Sequence, residues 1–133
     1  MPKQKDSPRV FISHSARDRS LARVLAEKLR AAGLQPWIAP AESKPGRDLW
    51  DAITSALKAC QAAVFLITPQ SMDDPNMMVE AGAALATGKR IILVSAGVPP
   101  SEIPSPLRAV QPVSFDRFDS VVRQLESELA YSA

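Results

Sequence analysis

Residues 62–67 read AAVFLI, from Ala62 to Ile67, and this run of six apolar residues decides the fold. Such a run has no polar residue at alternate positions, so it does not fit a strand with one face in water. It is too short for a typical helix, and it is rich in residues that favour strands. We therefore predict a strand buried on both faces at the centre of a parallel sheet.

Similar runs lie on either side of this strand along the chain. RVFIS (Arg9–Ser13) and RIILVS (Arg90–Ser95) predict two more buried strands, and LQPWI (Leu34–Ile38) and Gln111–Ser114 predict two shorter ones. Because proline cannot donate to a strand ladder, Pro36 places the strand that contains it near an edge.

Helical patterns separate the strands. Apolar residues recur at helical spacing at residues 21–29, 49–57 and 118–129, and Met77–Thr87, which is small and apolar along much of its length, predicts a further helix. Ser15, three residues before Asp18, resembles a capping box at the start of the first helix, and Gly33 and Gly88 are expected to end the first and third. Alternating strands and helices predict a flavodoxin-like three-layer α/β/α fold around a central parallel five-stranded sheet.

Composition limits the class of protein. The 133 residues are 46% hydrophobic and 23% charged, with a net charge of +2, which is typical of one globular domain. We expect a flexible N-terminus over residues 1–8 and a single domain over residues 9–131. No basic run indicates a nucleic-acid surface, and no apolar run is long enough to span a membrane. One cysteine and one histidine predict neither a disulfide nor a metal site, which favours the cytoplasm.

Ligands of open α/β sheets bind at the carboxyl ends of the strands. Four segments are expected there: Ser13–Asp18, Ala39–Arg47, Thr68–Glu80 and Ser95–Pro106. None contains GxGxxG or GxxxxGK[ST], which argues against a standard Rossmann or P-loop nucleotide site. Thr68 and Pro69 stand where a phospho-acceptor domain would need an aspartate. His14 lies directly between two serines, and adjacent residues do not form a Ser-His-Asp triad.

Taken together, several segments resemble a TIR (Toll/interleukin-1 receptor) domain of the bacterial NAD-cleaving type. The resemblance rests on the order and spacing of four stretches, and it covers Val10 to Ser95 best. The four stretches are VFISHSARD (Val10–Asp18), LAEKLRAAGLQPWIAP (Leu25–Pro40), SKPGRDLWDAITSALKAC (Ser43–Cys60), and AAVFLITPQSM (Ala62–Met72) followed by Glu80.

This resemblance implies that Glu80 is the catalytic residue of an NAD+ glycohydrolase or cyclase. It implies NAD+ as substrate with no separate cofactor, activation by TIR–TIR self-association, a sensor domain or partner protein, and a role in bacterial immunity. The family often has a tryptophan four residues before the glutamate, and here that position is Asn76. The alternative is a non-enzymatic adaptor that acts through homotypic TIR–TIR binding.

Seven residues are candidates for substrate binding, and each also has an ordinary structural explanation. Ser13 and His14 are suited to contact phosphate or ribose, or to form the loop after the first strand. Trp37 can stack on a base. Lys44 and Arg47 can bind pyrophosphate, contact a neighbouring subunit or remain solvated. Ser71 and Asn76 precede Glu80, and Ser71 can equally form a local turn with Asp74.

Overall fold

The computed structural model describes residues 7–40, 46–103, 107 and 110–132. The predicted flexible N-terminus lies mostly outside these ranges. The described residues form five strands and four α-helices in this order: β1 (Arg9–Ser13), α1 (Arg19–Ala31), β2 (Gln35–Ile38), α2 (Arg47–Ala59), β3 (Ala62–Ile67), α3 (Pro75–Ala86), β4 (Arg90–Ser95), β5 (Pro112–Ser114) and α4 (Phe118–Ser132).

All five strands are parallel and form one sheet in the order β2-β1-β3-β4-β5. This is the flavodoxin-like architecture that the sequence predicts, and β3 is the central strand. Every residue of β3 is buried, because β1 and β4 flank it and helices cover both of its faces. β2 lies at an edge, as Pro36 indicates.

Alternation along the strands divides the core into two layers. One layer packs β1, β3 and β4 against α1 and α4, and in β1 its members are Val10 and Ile12. The other packs the same strands against α2 and α3, and its β1 member is Phe11. Ser13 has the parity of Phe11, so its side chain is directed to the layer of α2 and α3. This parity determines which helix the end of β1 meets.

Two predicted helix ends are confirmed. Gly33 has a φ of 85° and Gly88 a φ of 70°, values that glycine adopts without steric cost. After α1, the Gly33 N–H donates to the Arg30 carbonyl and the Leu34 N–H donates to the Leu29 carbonyl. This pair of bonds is a Schellman motif, and it directs the chain from the helix into β2.

The start of α1 differs from the prediction. Ser15 makes no side-chain bond to the backbone of the helix, and a 3₁₀ turn at Ala16–Asp18 precedes α1, which begins at Arg19. The Ser15 hydroxyl instead donates to the Asp18 carboxylate at 2.8 Å. The capping box is therefore wrong, because the acid that would have completed it binds the serine side chain directly.

The connection from β4 to β5 contains no α-helix in its described residues. A 3₁₀ turn at Pro100–Glu102 is followed by Ile103 and Leu107, whose buried side chains complete the layer of α2 and α3. None of the helices in the described ranges is long and apolar enough to cross a membrane.

Candidate active site

Two buried polar side chains meet where β1 ends. The Ser13 hydroxyl donates to Oε1 of Glu80 at 2.5 Å, and the two residues are 67 positions apart in the sequence. Ser13 is 1% exposed and Glu80 is 6% exposed. The strand parity directs Ser13 toward this layer, and α3 brings Glu80 to it. The pair lies at the carboxyl end of the sheet, where ligands of such folds bind.

The geometry of α3 explains why Glu80 is buried. The helix begins at Pro75, two residues earlier than predicted, and Asp74 caps it by accepting the Asn76 N–H at 3.0 Å. Proline suits the first helical position, because its missing N–H would have no helical partner there. Glu80 then lies on the same helix face as Met77 and Ala84, which are buried in the core. It is therefore on the inner face of α3 and is not at an exposed helix edge.

Burial changes the acidity of this carboxyl. Removal from water raises the pKa of Glu80 from 4.5 to about 7, since burial disfavours the charged form. The hydroxyl of Ser13 opposes this by stabilising the carboxylate, and the negative charge of Asp74 adds to the rise. Near neutral pH, Glu80 therefore exists in both protonation states.

A second group of buried polar residues joins the loops after β1 and β3. Asp18, 6% exposed, accepts hydrogen bonds from Ser15 Oγ at 2.8 Å and from Thr68 Oγ1 at 2.5 Å. Thr68 Oγ1 in turn accepts the Ser71 N–H at 3.2 Å. We call Ser15, Asp18, Thr68 and Ser71 the loop network. It joins segments 50 residues apart, and the sequence did not predict this contact.

An open cleft lies at the same end of the sheet. Its volume is about 400 Å³, and residues from the loops after β1 and β3 line it: Ser15, Ala16, Arg17, Pro69 and Gln70. Glu80 is not part of its walls. Arg17 gives the cleft a positive charge, and Ser15 belongs to both the cleft and the loop network.

The predicted substrate-binding residues lie in different surroundings. Trp37 is half-buried and stacks on Phe11 with ring centroids 5.4 Å apart, so one face of its indole is already occupied. His14 is buried, and its Nδ1 donates to the Ser15 carbonyl oxygen at 2.7 Å. Ser71 is 0% exposed, and its hydroxyl donates to the Thr68 carbonyl oxygen and accepts the Thr68 N–H.

The remaining candidates lie around the start of α2 and α3. Arg47 is exposed as the first residue of α2 and is not part of the loop that was expected to extend to it. Asn76 is half-buried in the first turn of α3, one turn before Glu80. Lys44 lies outside the described residues. Ser13 is a candidate that the structure joins to Glu80 by a hydrogen bond.

The sequence contained one signal for the loop network. That signal is Asp18, an acid in the connection between the buried strand β1 and helix α1. Its spacing from Ser15 suggested a local helix cap instead. The partner Thr68 gave no signal of its own, since a threonine after a strand is ordinary. Among the residues that the structure describes, no group of histidine, cysteine, aspartate and glutamate side chains is arranged to hold a metal ion.

Comparison with known proteins identifies a family. A family model described as a TIR domain matches residues 10–126. The probable 2' cyclic ADP-D-ribose synthase BdTIR from Brachypodium distachyon is 29% identical over 122 residues, which cover 86% of this chain and 54% of that protein. The chain therefore spans about half the length of this curated relative.

Solved structures share the fold. A metazoan TIR-STING receptor from C. gigas, in complex with 2',3'-cGAMP, aligns with a TM-score of 0.73 and 21% identity, over 88% of this chain and 39% of that one. The heterodimer of the RPS4 and RRS1 TIR domains aligns with a TM-score of 0.66 and 14% identity, over 91% of this chain and 97% of that one.

Proposed function

Because this chain belongs to the TIR domain family, we propose that it cleaves the bond between nicotinamide and ribose in NAD+, with Glu80 as its catalytic residue. The observation that carries the proposal is the buried pair of Glu80 and Ser13 at the carboxyl end of the sheet. A carboxyl in this position, with a pKa of about 7, is typical of a functional site.

One carboxylate meets the demands of this reaction. Many glycosidases need a second carboxyl group to protonate the leaving oxygen. Nicotinamide carries a positive charge in NAD+ and departs as a neutral molecule, so it requires no proton. Positive charge develops on the ribose as an oxocarbenium ion. The ionised form of Glu80 would stabilise that charge, and its partial exclusion from water would strengthen the attraction.

The acceptor of the ribosyl group decides the product. Attack by water gives ADP-ribose, and attack by another group of the same substrate gives a cyclic product. The relative from Brachypodium distachyon is named as a probable synthase of a cyclic ADP-ribose. We therefore propose that this chain is an NAD+ nucleosidase that also acts as an ADP-ribosyl cyclase.

We further propose that self-association activates the enzyme. Glu80 is only 6% exposed, so a ribose can reach it only after its surroundings rearrange, and contact with a second copy can supply the energy for this. Val79, on the outer side of the same helix, is 56% exposed. The pairing of the RPS4 and RRS1 TIR domains supports an assembly of this kind. The role proposed for it is that of a cytoplasmic effector of bacterial immunity, switched on by a sensor.

The test is release of nicotinamide from NAD+ at several protein concentrations. Glu80→Gln keeps the shape of the side chain and an acceptor for Ser13 but removes the negative charge. The matched control is Glu126→Gln, which changes an exposed glutamate on α4. We expect release by the wild type and the control, at a rate per subunit that rises with concentration, and none by Glu80→Gln. Equal release by Glu80→Gln would contradict the assignment.

Asn76 supports a second candidate function, that of a TIR adaptor without enzymatic activity. Asn76 stands one turn before Glu80, where the family often has an aromatic residue, and its amide offers no ring to hold nicotinamide. An adaptor would bind other TIR domains and release no nicotinamide at any concentration. Nicotinamide release separates the two functions, and co-sedimentation with a second copy of the chain, measured beside it, tests whether a protein that releases none still binds another TIR domain.

A further inference from the structure

Asp18 is a buried carboxylate that the proposed chemistry does not use. It forms no ion pair with a lysine or arginine in the described ranges, and its hydrogen bonds come from two hydroxyl groups, those of Ser15 and Thr68. Both hydroxyls donate to the same carboxylate oxygen, Oδ2 of Asp18. Thr68 Oγ1 is thereby left to accept the Ser71 N–H. Asp18 thus fixes the direction of the two bonds that it accepts, from Ser15 and from Thr68.

This network lies just past the residues of β1 that pair with β3 in the sheet. The last residue pair between β1 and β3 is Ser13 with Phe65, whereas β3 continues to pair with β4 as far as Ile67. Past the last β1–β3 pair, hydrogen bonds from Ser13 to Glu80 and from Thr68 to Asp18 join residues 13–18 to residues 68–80. The two bonds therefore connect the same pair of segments at two points.

We propose that Asp18 is a positioning residue for Glu80. Its hydrogen bond with Thr68 keeps the segment between β3 and α3 against the end of β1. As a result, the Ser13 hydroxyl stays within hydrogen-bond distance of the Glu80 carboxylate. The inference rests on the proposed function for its kinetic consequences, and the geometric part holds without it.

Lengthening the Ser13–Glu80 hydrogen bond while Glu80 stays buried changes the acidity of Glu80 in one direction. The Ser13 hydroxyl lowers the pKa of Glu80, so a longer Ser13–Glu80 distance raises that pKa further. A smaller fraction of the enzyme then carries the charge that the reaction needs at neutral pH. Misplacement of a reacting group by about 1 Å can cost about 100-fold in rate, so the effect should fall on kcat more than on KM.

Three variants test the positioning role. Asp18→Ala removes the acceptor, and Thr68→Val removes one donor while it preserves the shape of the side chain. Asp18→Asn keeps a carbonyl oxygen that can accept both hydroxyls, and is expected to rescue the contact. The control is Asp119→Ala, which removes an acid from an exposed ion pair with Lys28 on the other side of the sheet.

Two measurements are made on each variant. The first is NMR titration of the Glu80 side-chain carboxyl carbon, which needs no activity. We expect its midpoint to rise in Asp18→Ala and Thr68→Val and to match the wild type in Asp18→Asn and Asp119→Ala. The second is the pH profile of nicotinamide release, in which the first two variants should have a kcat about 10-fold lower and a midpoint shifted in the same direction.

The outcomes separate the inference from the proposed function. If no protein releases nicotinamide but the titration midpoints move as expected, the proposed function fails and the positioning role stands. If Asp18→Ala does not fold, Thr68→Val carries the test. A Glu80 midpoint that is unchanged in folded Thr68→Val, or in folded Asp18→Ala, overturns the inference.

Discussion

The raised pKa of Glu80 makes a quantitative prediction about stability, because a buried carboxyl that resists ionisation lowers the stability of the folded state as the pH rises. The pKa is 4.5 for the unperturbed group and about 7 in the folded protein. Below pH 4.5 the group is protonated in both states and contributes nothing. Between pH 4.5 and about 7 the unfolded chain releases a proton that the folded chain keeps, so unfolding is increasingly favoured.

The size of this effect follows from the same two values. Each pKa unit corresponds to about 1.36 kcal/mol, so the wild type should lose about 3 kcal/mol from Glu80 between pH 4.5 and 8. Glu80→Gln removes the titrating group and keeps the acceptor for the Ser13 hydroxyl. The variant should therefore become progressively more stable than the wild type, with a difference that grows by about 3 kcal/mol over this range and is constant above it.

Urea unfolding at pH 5, 6, 7 and 8 measures this difference. It is done at low protein concentration so that self-association does not contribute to stability. For a domain of this size, about 3 kcal/mol also corresponds to a rise of about 10 °C in Tm. Glu126→Gln, which makes the same change at an exposed glutamate on α4, is the matched control. A stability difference between Glu80→Gln and wild type that is equal at pH 5 and pH 8 would refute the reasoning.

Three further predictions concern the ionisable groups. Nicotinamide release should increase with pH through about 7, as Glu80 ionises. Ser13→Ala should move the midpoint of this pH profile upward, because the Ser13 hydroxyl lowers the pKa of Glu80. A rate that does not depend on pH would contradict both expectations. Lys89→Met should lower the free energy of unfolding by about 1 kcal/mol in urea titrations, because the Lys89 ammonium donates at 2.8 Å to the carbonyl oxygens of Lys58 and Cys60 at the end of α2. Burial raises the pKa of the Cys60 thiol to about 11, so a thiol-specific reagent at pH 8 should react with it only in urea, and rapid reaction of the folded protein would be inconsistent with this placement.

The fold was predictable because its signals are local and consistent. The continuous apolar run at Ala62–Ile67 can be buried only between two other strands, and Gly33 and Gly88 end their helices through backbone bonds within one turn. The start of α3 was misplaced by two residues, although Asp74 and Pro75 are a cap and a first-turn residue of the usual kind. They were interpreted as loop residues because proline and aspartate are common in both settings.

The site was predictable only in part, because its contacts join distant segments. The carboxyl-end rule placed Ser13 and Glu80 at the same edge of the sheet, and the family resemblance selected Glu80 among the acids. That Ser13 faces α3 follows from strand parity, which is evident once the face of each helix is known. The bond from Thr68 to Asp18 was not predictable, since Thr68 gave no signal of its own and Ser15 offered Asp18 an equally good local explanation three residues away.

The choice of serine as the partner of Glu80 fits the proposed chemistry better than a cation would. Within the described ranges, no lysine or arginine forms an ion pair with Glu80. A cation at that position would keep the carboxylate ionised, but it would also cancel the charge that an oxocarbenium ion must meet. The neutral hydroxyl of Ser13 lowers the pKa of Glu80 without supplying an opposing charge. The carboxylate thus keeps its full negative charge for the ribose, and the protein retains a buried acid that costs stability near neutral pH.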